Sequence, residues 1–62
     1  MRLSRWFEMS PITKLAFAEK VGVHRSQVYR WISGETRPDY EVARRIQDLT
    51  DGAVRLDDWV DR

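Results

Sequence analysis

The spacing of small, turn-forming and apolar residues in the first half of the chain most restricts what it can fold into. Ala18 precedes Gly22 by four residues, and Val28 and Trp31 follow that glycine by six and nine. Glycine tolerates the positive φ of a sharp turn, and a small side chain lets two helices cross closely. The pattern predicts two short amphipathic helices joined at Gly22, with their apolar stripes facing a common core.

The second of these helices leaves a polar face free. Its buried stripe is predicted to contain Val28, Trp31 and Ile32. The residues left outside that stripe are Arg25, Ser26, Tyr29 and Arg30. Side chains of these types on an exposed helix are suited to the major groove of DNA, where base edges present hydrogen-bond donors and acceptors.

The rest of the chain also follows helical spacing, and no alternating run predicts a strand. We expect a compact all-α domain of four to five helices, with a helix-turn-helix at about 14–33. The predicted helices span 3–9, 14–21, 25–33 and 40–49, with a short last helix that Asp57 and Asp58 open. The expected boundary residues are Ser10-Pro11, the N-caps Thr13 and Asp39, and the C-terminal Gly34. For residues 53–56 an extended strand is the alternative, and it would need a second copy of the chain as its partner.

The apolar positions predict which face of each helix is buried. In the first helix these positions are Leu3, Trp6 and Phe7. In the second, Leu15, Ala18 and Val21 form the inward face, with Phe17 at its edge. In the fourth they are Val42, Ala43, Ile46 and Leu49, and Val54 returns to the core after it.

Size and composition exclude several classes of protein. Sixty-two residues form one domain, 1–62, with a stability of about 3–5 kcal/mol. No cysteine and a single histidine leave no disulfide and no metal site, and no apolar run is long enough to cross a membrane. The chain lacks a glycine-rich phosphate loop and is too short for a substrate pocket. We therefore expect a cytoplasmic protein that is not an enzyme and binds no cofactor or small molecule.

Charge is distributed unevenly along the chain. Residues 1–37 carry seven basic and three acidic side chains, whereas residues 38–62 carry four basic and seven acidic ones. The exposed helix lies in the positive half, which would orient the protein on a polyanion; simple solvation of a small domain is the alternative. Arg44 and Arg45 are expected to pair with acidic neighbours on their own helix, Glu41 and Asp48.

Several short motifs resemble one family of regulators. They are Phe17-Ala18-x-x-x-Gly22-Val23, Val28-x-x-Trp31, Ser33-Gly34, Arg37-Pro38 and Ala43-Arg44-Arg45-Ile46. Together they are similar to the helix-turn-helix of the phage Cro and CI repressors and of related XRE-type small regulators, over roughly residues 12–59. The resemblance implies a lambda-repressor-like fold and double-stranded DNA as the partner. Family members often carry Ser or Thr where His24 stands, as the cap of the recognition helix, and histidine is expected to cap poorly.

The resemblance also implies roles for most of the candidate residues, and two more are added on other grounds: Gln27 for its side-chain chemistry and His24 for its place at the groove edge. The predicted base contacts are Arg25, Ser26, Gln27, Tyr29 and Arg30. The predicted contacts to the DNA backbone are Thr13, Lys14, His24, Thr36 and Arg37. Arginine bonds guanine with two hydrogen bonds, and glutamine can bond adenine in the same way. For each of these side chains the alternative is an ordinary solvated or packing role.

The C-terminal residues carry the prediction for self-association. Trp59, with Leu56 and Val60 beside it, either closes the core or lines a dimer seam within the segment 53–62. The predicted function is a sequence-specific repressor of the Cro type that binds a pseudo-palindromic operator as a weak homodimer. The alternatives are the DNA-binding antitoxin of a toxin–antitoxin pair and a helical interaction module that does not bind DNA.

Overall fold

A computed structural model describes residues 1–59, and within them all regular secondary structure is helical. The helices are α1 (Leu3–Met9), α2 (Lys14–Val21), α3 (Arg25–Ser33) and α4 (Tyr40–Leu49), followed by a 3₁₀ turn, Leu56–Trp59. The predicted all-α fold and the predicted bounds of the four helices are confirmed. No helix in the described part of the chain is long and apolar enough to cross a membrane.

Short polar side chains begin two of the helices, as predicted. The Thr13 hydroxyl accepts a hydrogen bond from the Ala16 amide at 3.1 Å, and the Asp39 carboxylate accepts one from the Val42 amide at 2.9 Å. Each bond satisfies an amide that has no partner in the first turn of a helix. These caps fix where α2 and α4 begin, and so help to set the orientation of both helices around α3.

The core is formed where all four helices and the C-terminal segment meet. Its buried apolar side chains are Leu3, Phe17, Ala18, Val21, Val28, Trp31, Ala43, Ile46 and Val54. The aromatic rings of Trp6, Phe7 and Phe17 form a cluster at one side, with centroids 5.0–5.5 Å apart. This cluster attaches the short helix α1 to α2 and supports the packing beneath α3.

Two predictions about the inward faces were wrong. Phe17 is fully buried, whereas Leu15 is 51% exposed, because α1 packs its aromatic rings against the Phe17 side of α2. Leu49 is 37% exposed. The chain turns directly after it, at the buried Thr50, and the fully buried Val54 fills the core at this end of α4.

The segment after α4 returns to the core without forming a strand. Asp51 and Gly52 both have positive φ, 55° and 82°, and together they reverse the chain. The Thr50 hydroxyl donates to the Ile46 carbonyl at 2.8 Å and accepts from the Val54 amide at 3.1 Å. The extended alternative for residues 53–56 is therefore not observed, and the helical expectation holds as a 3₁₀ turn up to Trp59. The continuation of this helix to Val60 lies outside the described residues.

Candidate nucleic-acid interface

The connection between α2 and α3 sets the orientation of the predicted reading helix. Gly22 has φ 87° and ψ 31°, in the left-handed region, and its amide donates to the Ala18 carbonyl at 2.8 Å. The Val23 amide donates to the same carbonyl at 3.0 Å. Ala18 is itself buried, so the backbones of α2 and α3 approach closely there. The glycine and the alanine have the roles that the spacing predicted.

Helix α3 has one buried side and one solvent side. Val28 is fully buried and Trp31 is 7% exposed, which confirms the predicted core role of that tryptophan. All five side chains predicted to contact bases are exposed: Arg25, Ser26, Gln27, Tyr29 and Arg30. An α-helix places residues three and four apart on one face, so Ser26, Tyr29 and Arg30 share a single outward surface.

Gln27 lies towards the other edge of α3. It lines a shallow cavity of about 350 Å³ together with Val23, Trp31 and residues that follow α3, among them Arg37. Because Gln27 and Trp31 are four residues apart, they lie on the same side of the helix. Gln27 therefore lies on the Trp31 side of α3 and not on the outward surface that contains Ser26, although its side chain is still exposed.

His24 caps α3, contrary to the expectation that histidine would cap poorly. Its Nδ1 accepts a hydrogen bond from the Ser26 amide at 3.1 Å, and the Ser26 hydroxyl lies 2.9 Å from the same nitrogen. Nδ1 is bonded to Cγ, only two bonds from Cβ. It is therefore as close to the backbone as the oxygen of a short polar side chain, and it can accept a hydrogen bond from an amide in the first turn of the helix. The cap fixes the imidazole ring at the exposed start of α3.

The start of α2 lies beside this face. The Lys14 ammonium nitrogen is 5.8 Å from the centroid of the Tyr29 ring and 5.3 Å from that of Phe7. A cation above an aromatic ring is attracted to the ring's negative face, which holds Lys14 against α3. The sequence pattern did not predict this contact, because Lys14 and Tyr29 belong to different helices. Thr13, the neighbouring candidate, is exposed and uses its hydroxyl to cap α2.

The loop after α3 contains the other two residues predicted to contact the DNA backbone, Thr36 and Arg37. Gly34 ends the helix with φ 83°, and the Glu35 and Thr36 amides both donate to the Arg30 carbonyl. Thr36 and Arg37 are exposed. The Arg37 guanidinium donates to the Trp59 carbonyl at 3.3 Å, so the C-terminal turn helps to position it.

The basic pair Arg44 and Arg45 lies on α4, outside this candidate interface, and Arg45 makes contacts within the protein. Arg45 pairs with Glu41 at 3.4 Å, as predicted, and also donates to the Val21 carbonyl at 3.4 Å. The second bond connects α4 to the end of α2. Arg45 is thus engaged in holding helices together.

The described residues that were predicted to form a dimer seam are only partly exposed to solvent. Trp59 is half-buried, and its ring meets Trp31 edge to face at 6.2 Å between centroids. Its indole nitrogen is buried and has no hydrogen-bond partner among the described residues. Leu56 is also half-buried, and Val60 lies outside the described residues. Trp59 thus closes the core within one chain, and its part in a dimer stays a prediction.

Residues 12–56 match the helix-turn-helix family. Since the match covers more than two thirds of the sequence, the chain belongs to that family, and it is an XRE-like DNA-binding transcription regulator. No curated protein and no solved structure matched the chain. The matched range contains α2, α3 and α4, so it includes both helices of the helix-turn-helix and the loop after α3.

Proposed function

We propose that the protein is a sequence-specific repressor of the phage Cro type, which binds a pseudo-palindromic operator as a dimer. The observation that carries this proposal is the two-sided character of α3. Val28 and Trp31 anchor one side in the core, while Arg25, Ser26 and Arg30 project from the other. A rigidly held helix with free polar side chains can enter the major groove and read base edges.

The proposed contacts divide into two groups. On α3, Arg25 bonds guanine O6 and N7, and Tyr29 packs on a thymine methyl group or bonds a phosphate. The remaining proposed base contacts are Ser26, Gln27 and Arg30. Around α3, three segments contact the DNA backbone: the start of α2, the N-cap of α3 and the loop after α3. Their residues are Thr13, Lys14, His24, Thr36 and Arg37. Backbone contacts on both sides of the helix would fix its register on the duplex.

An operator with two half-sites requires two copies of the chain. Reading helices on successive turns of one DNA face are about 34 Å apart. The described residues extend 29 × 21 × 20 Å, so one copy cannot reach two such grooves. We place the seam at the C-terminal turn, through Leu56, Trp59 and Val60. Trp59 would then connect the seam to α3 through its contact with Trp31.

Selection of bound sequences from a random DNA pool, at about 0.1–0.15 M salt, tests the proposal. We expect a palindrome with guanine at the positions that Arg25 reaches, and half-sites one helical turn apart. Binding that depends on salt but enriches no sequence would reduce the function to nonspecific DNA binding. Absence of any binding would contradict the proposal. Sedimentation of the protein with the selected duplex gives the number of copies bound, for which we expect two.

A further inference from the structure

The hydrogen bonds between His24 and Ser26 determine where the protons in this pair lie. A backbone amide can only donate, and the Ser26 amide is 3.1 Å from Nδ1 of His24. Nδ1 must therefore carry a lone pair rather than a proton. In a neutral imidazole the proton is then on Nε2.

This tautomer in turn determines where the Ser26 hydroxyl directs its proton. The hydroxyl oxygen is 2.9 Å from the same unprotonated Nδ1, and because two lone pairs repel each other at that distance, the hydroxyl directs its proton at Nδ1 and shares the single lone pair of that nitrogen with the Ser26 amide. A serine hydroxyl has one proton and two lone pairs. While its proton is directed at His24, the exposed Ser26 hydroxyl offers lone pairs to other groups.

We infer that His24 makes Ser26 an acceptor-only reader, which selects the orientation of a base pair that places the adenine N6 or cytosine N4 amino group within its reach. The inference rests on the proposed function, because it requires α3 to lie in the major groove. There the adenine N6 and cytosine N4 amino groups are donors, whereas guanine N7 and O6 and thymine O4 are acceptors. An acceptor-only hydroxyl bonds the first pair and is repelled by the second. To bond a phosphate oxygen, which accepts only, the hydroxyl would have to release His24, and this cost favours a base contact over a backbone contact.

Serine without His24 would not have this selectivity. A freely rotating hydroxyl donates or accepts as its partner requires, and for that reason serine usually discriminates poorly between bases. His24 restricts this freedom by accepting a hydrogen bond from the hydroxyl at the same nitrogen that caps α3. His24 is in this sense a positioning residue for Ser26, and its own Nε2–H remains available as a donor.

The test compares four proteins in the random-pool selection at pH 7.5: wild type, Ser26→Ala, His24→Ala and His24→Asn. At the position whose preference Ser26→Ala abolishes, we expect the wild type to prefer, about tenfold, the orientation of the base pair that puts adenine or cytosine on the strand that Ser26 faces. His24→Ala frees the hydroxyl and should reduce that preference to about twofold. The asparagine carbonyl oxygen can cap α3 and accept from Ser26 as Nδ1 does, so His24→Asn should retain the preference.

A second measurement removes the amino group from the DNA instead. In the selected duplex, the base at that position is replaced by the same base without its exocyclic amine. The replacement should weaken wild-type binding about tenfold and leave Ser26→Ala binding unchanged. An equal loss for both proteins would overturn the inference. So would guanine or thymine on the strand that Ser26 faces, or a selection that Ser26→Ala does not alter.

A third measurement needs no DNA. Long-range ¹H–¹⁵N spectra of the free protein distinguish the two imidazole tautomers, and we expect the proton on Nε2 of His24. A proton on Nδ1 would overturn the inference while leaving the repressor proposal intact. If none of the four proteins binds DNA, the proposed function fails and this inference fails with it. Circular dichroism of each variant confirms that it is folded.

Discussion

The indole rings of Trp31 and Trp59 meet edge to face, with centroids 6.2 Å apart and planes at 71°. Trp31 is on the buried side of the proposed reading helix, and Trp59 ends the C-terminal turn. The Trp59 carbonyl also accepts a hydrogen bond from Arg37, in the loop after α3. Two separate contacts therefore connect the C-terminal turn to the DNA-binding half of the chain.

Trp59→Ala should destabilise the protein by about 2 kcal/mol, because it removes a half-buried ring and its contact with Trp31. That loss is a large fraction of the stability of a chain this short. Trp59→Phe keeps an aromatic edge against Trp31 and should restore most of it. Urea unfolding at two protein concentrations measures the effect.

The control for Trp59 is Tyr40→Ala, which removes a ring that is 68% exposed and should change stability by less than about 0.5 kcal/mol. A Trp59→Ala loss as small as that would contradict the core role. A loss present only at the higher protein concentration would assign Trp59 to the dimer seam alone.

Arg25→Ala should weaken binding to the selected operator by about 1–3 kcal/mol and relax the preference for guanine at one position. The physical reason is the loss of two hydrogen bonds to a single base edge. The matched control is Arg44→Ala, which removes an exposed arginine from α4. Competition binding with operators changed at that position measures the affinity and the guanine preference of each variant. Equal losses for the two variants would refute the assignment of Arg25.

Lys14→Ala should weaken binding to all DNA sequences alike and lower the slope of log K against log salt by about 1. The reason is that one fewer phosphate is neutralised. Lys20→Ala, an exposed lysine in the last turn of α2, should leave the slope unchanged. A salt titration of each variant on one duplex decides the matter. A sequence-dependent loss for Lys14→Ala would be inconsistent with a phosphate contact.

Gly22→Ala should destabilise the protein by about 1–2 kcal/mol, because an L-residue is strained at φ 87°. Space is not the cause, since an added Cβ would be 3.8 Å from the nearest atom, Nη1 of Arg45. Gly22→Asn should cost less, because asparagine tolerates the left-handed region better. Thermal unfolding of both variants measures the difference. If alanine and asparagine cost the same, backbone strain is not the main cause of the destabilisation.

Asp58 should make part of the stability sensitive to acid. Burial raises the pKa of its carboxyl, but hydrogen bonds from the N-terminal ammonium, at 2.6 Å, and from the Arg55 amide outweigh burial. The pKa is therefore below its ordinary value of 3.8. A lowered folded-state pKa gives stability that is present above pH 3.8 and is lost as the pH falls through the lower value.

Asp58→Asn removes that contribution, which for a pair near the surface is less than about 1 kcal/mol. Its effect on the unfolding midpoint should be seen at pH 7 and should disappear towards pH 2. Asp57→Asn, in the same turn but exposed, is the control. A difference between Asp58→Asn and wild type that persists undiminished at pH 2 would rule out the ion pair as the cause.

Much of the fold was predictable because its determinants are local. Helix bounds follow from caps and breakers such as Thr13, Pro11 and Gly34, whose effects operate within a few residues. The burial of Phe17 in place of Leu15 was not predictable in this way. It depends on where α1 packs, and that contact joins residues whose spacing in the sequence carries no signal.

The candidate site also combines features that local sequence predicts with features that depend on contacts between helices. The outward face of α3 follows from helical periodicity once Val28 and Trp31 are assigned to the core. The contact of Lys14 with Tyr29 joins two helices, and the cap from His24 depends on which ring nitrogen is protonated. The sequence contains the residues for both, but only their three-dimensional arrangement shows the bonds.

Chemical-shift mapping shows whether the protein meets DNA through the exposed face of α3. ¹⁵N-labelled protein is titrated with the selected duplex, and the amide signals are followed residue by residue. We expect the largest changes in residues 24–30, with smaller ones at 13–14 and 36–37. Changes concentrated on the outward side of α4, around Glu41 and Arg44, with residues 24–30 unmoved, would contradict this expectation.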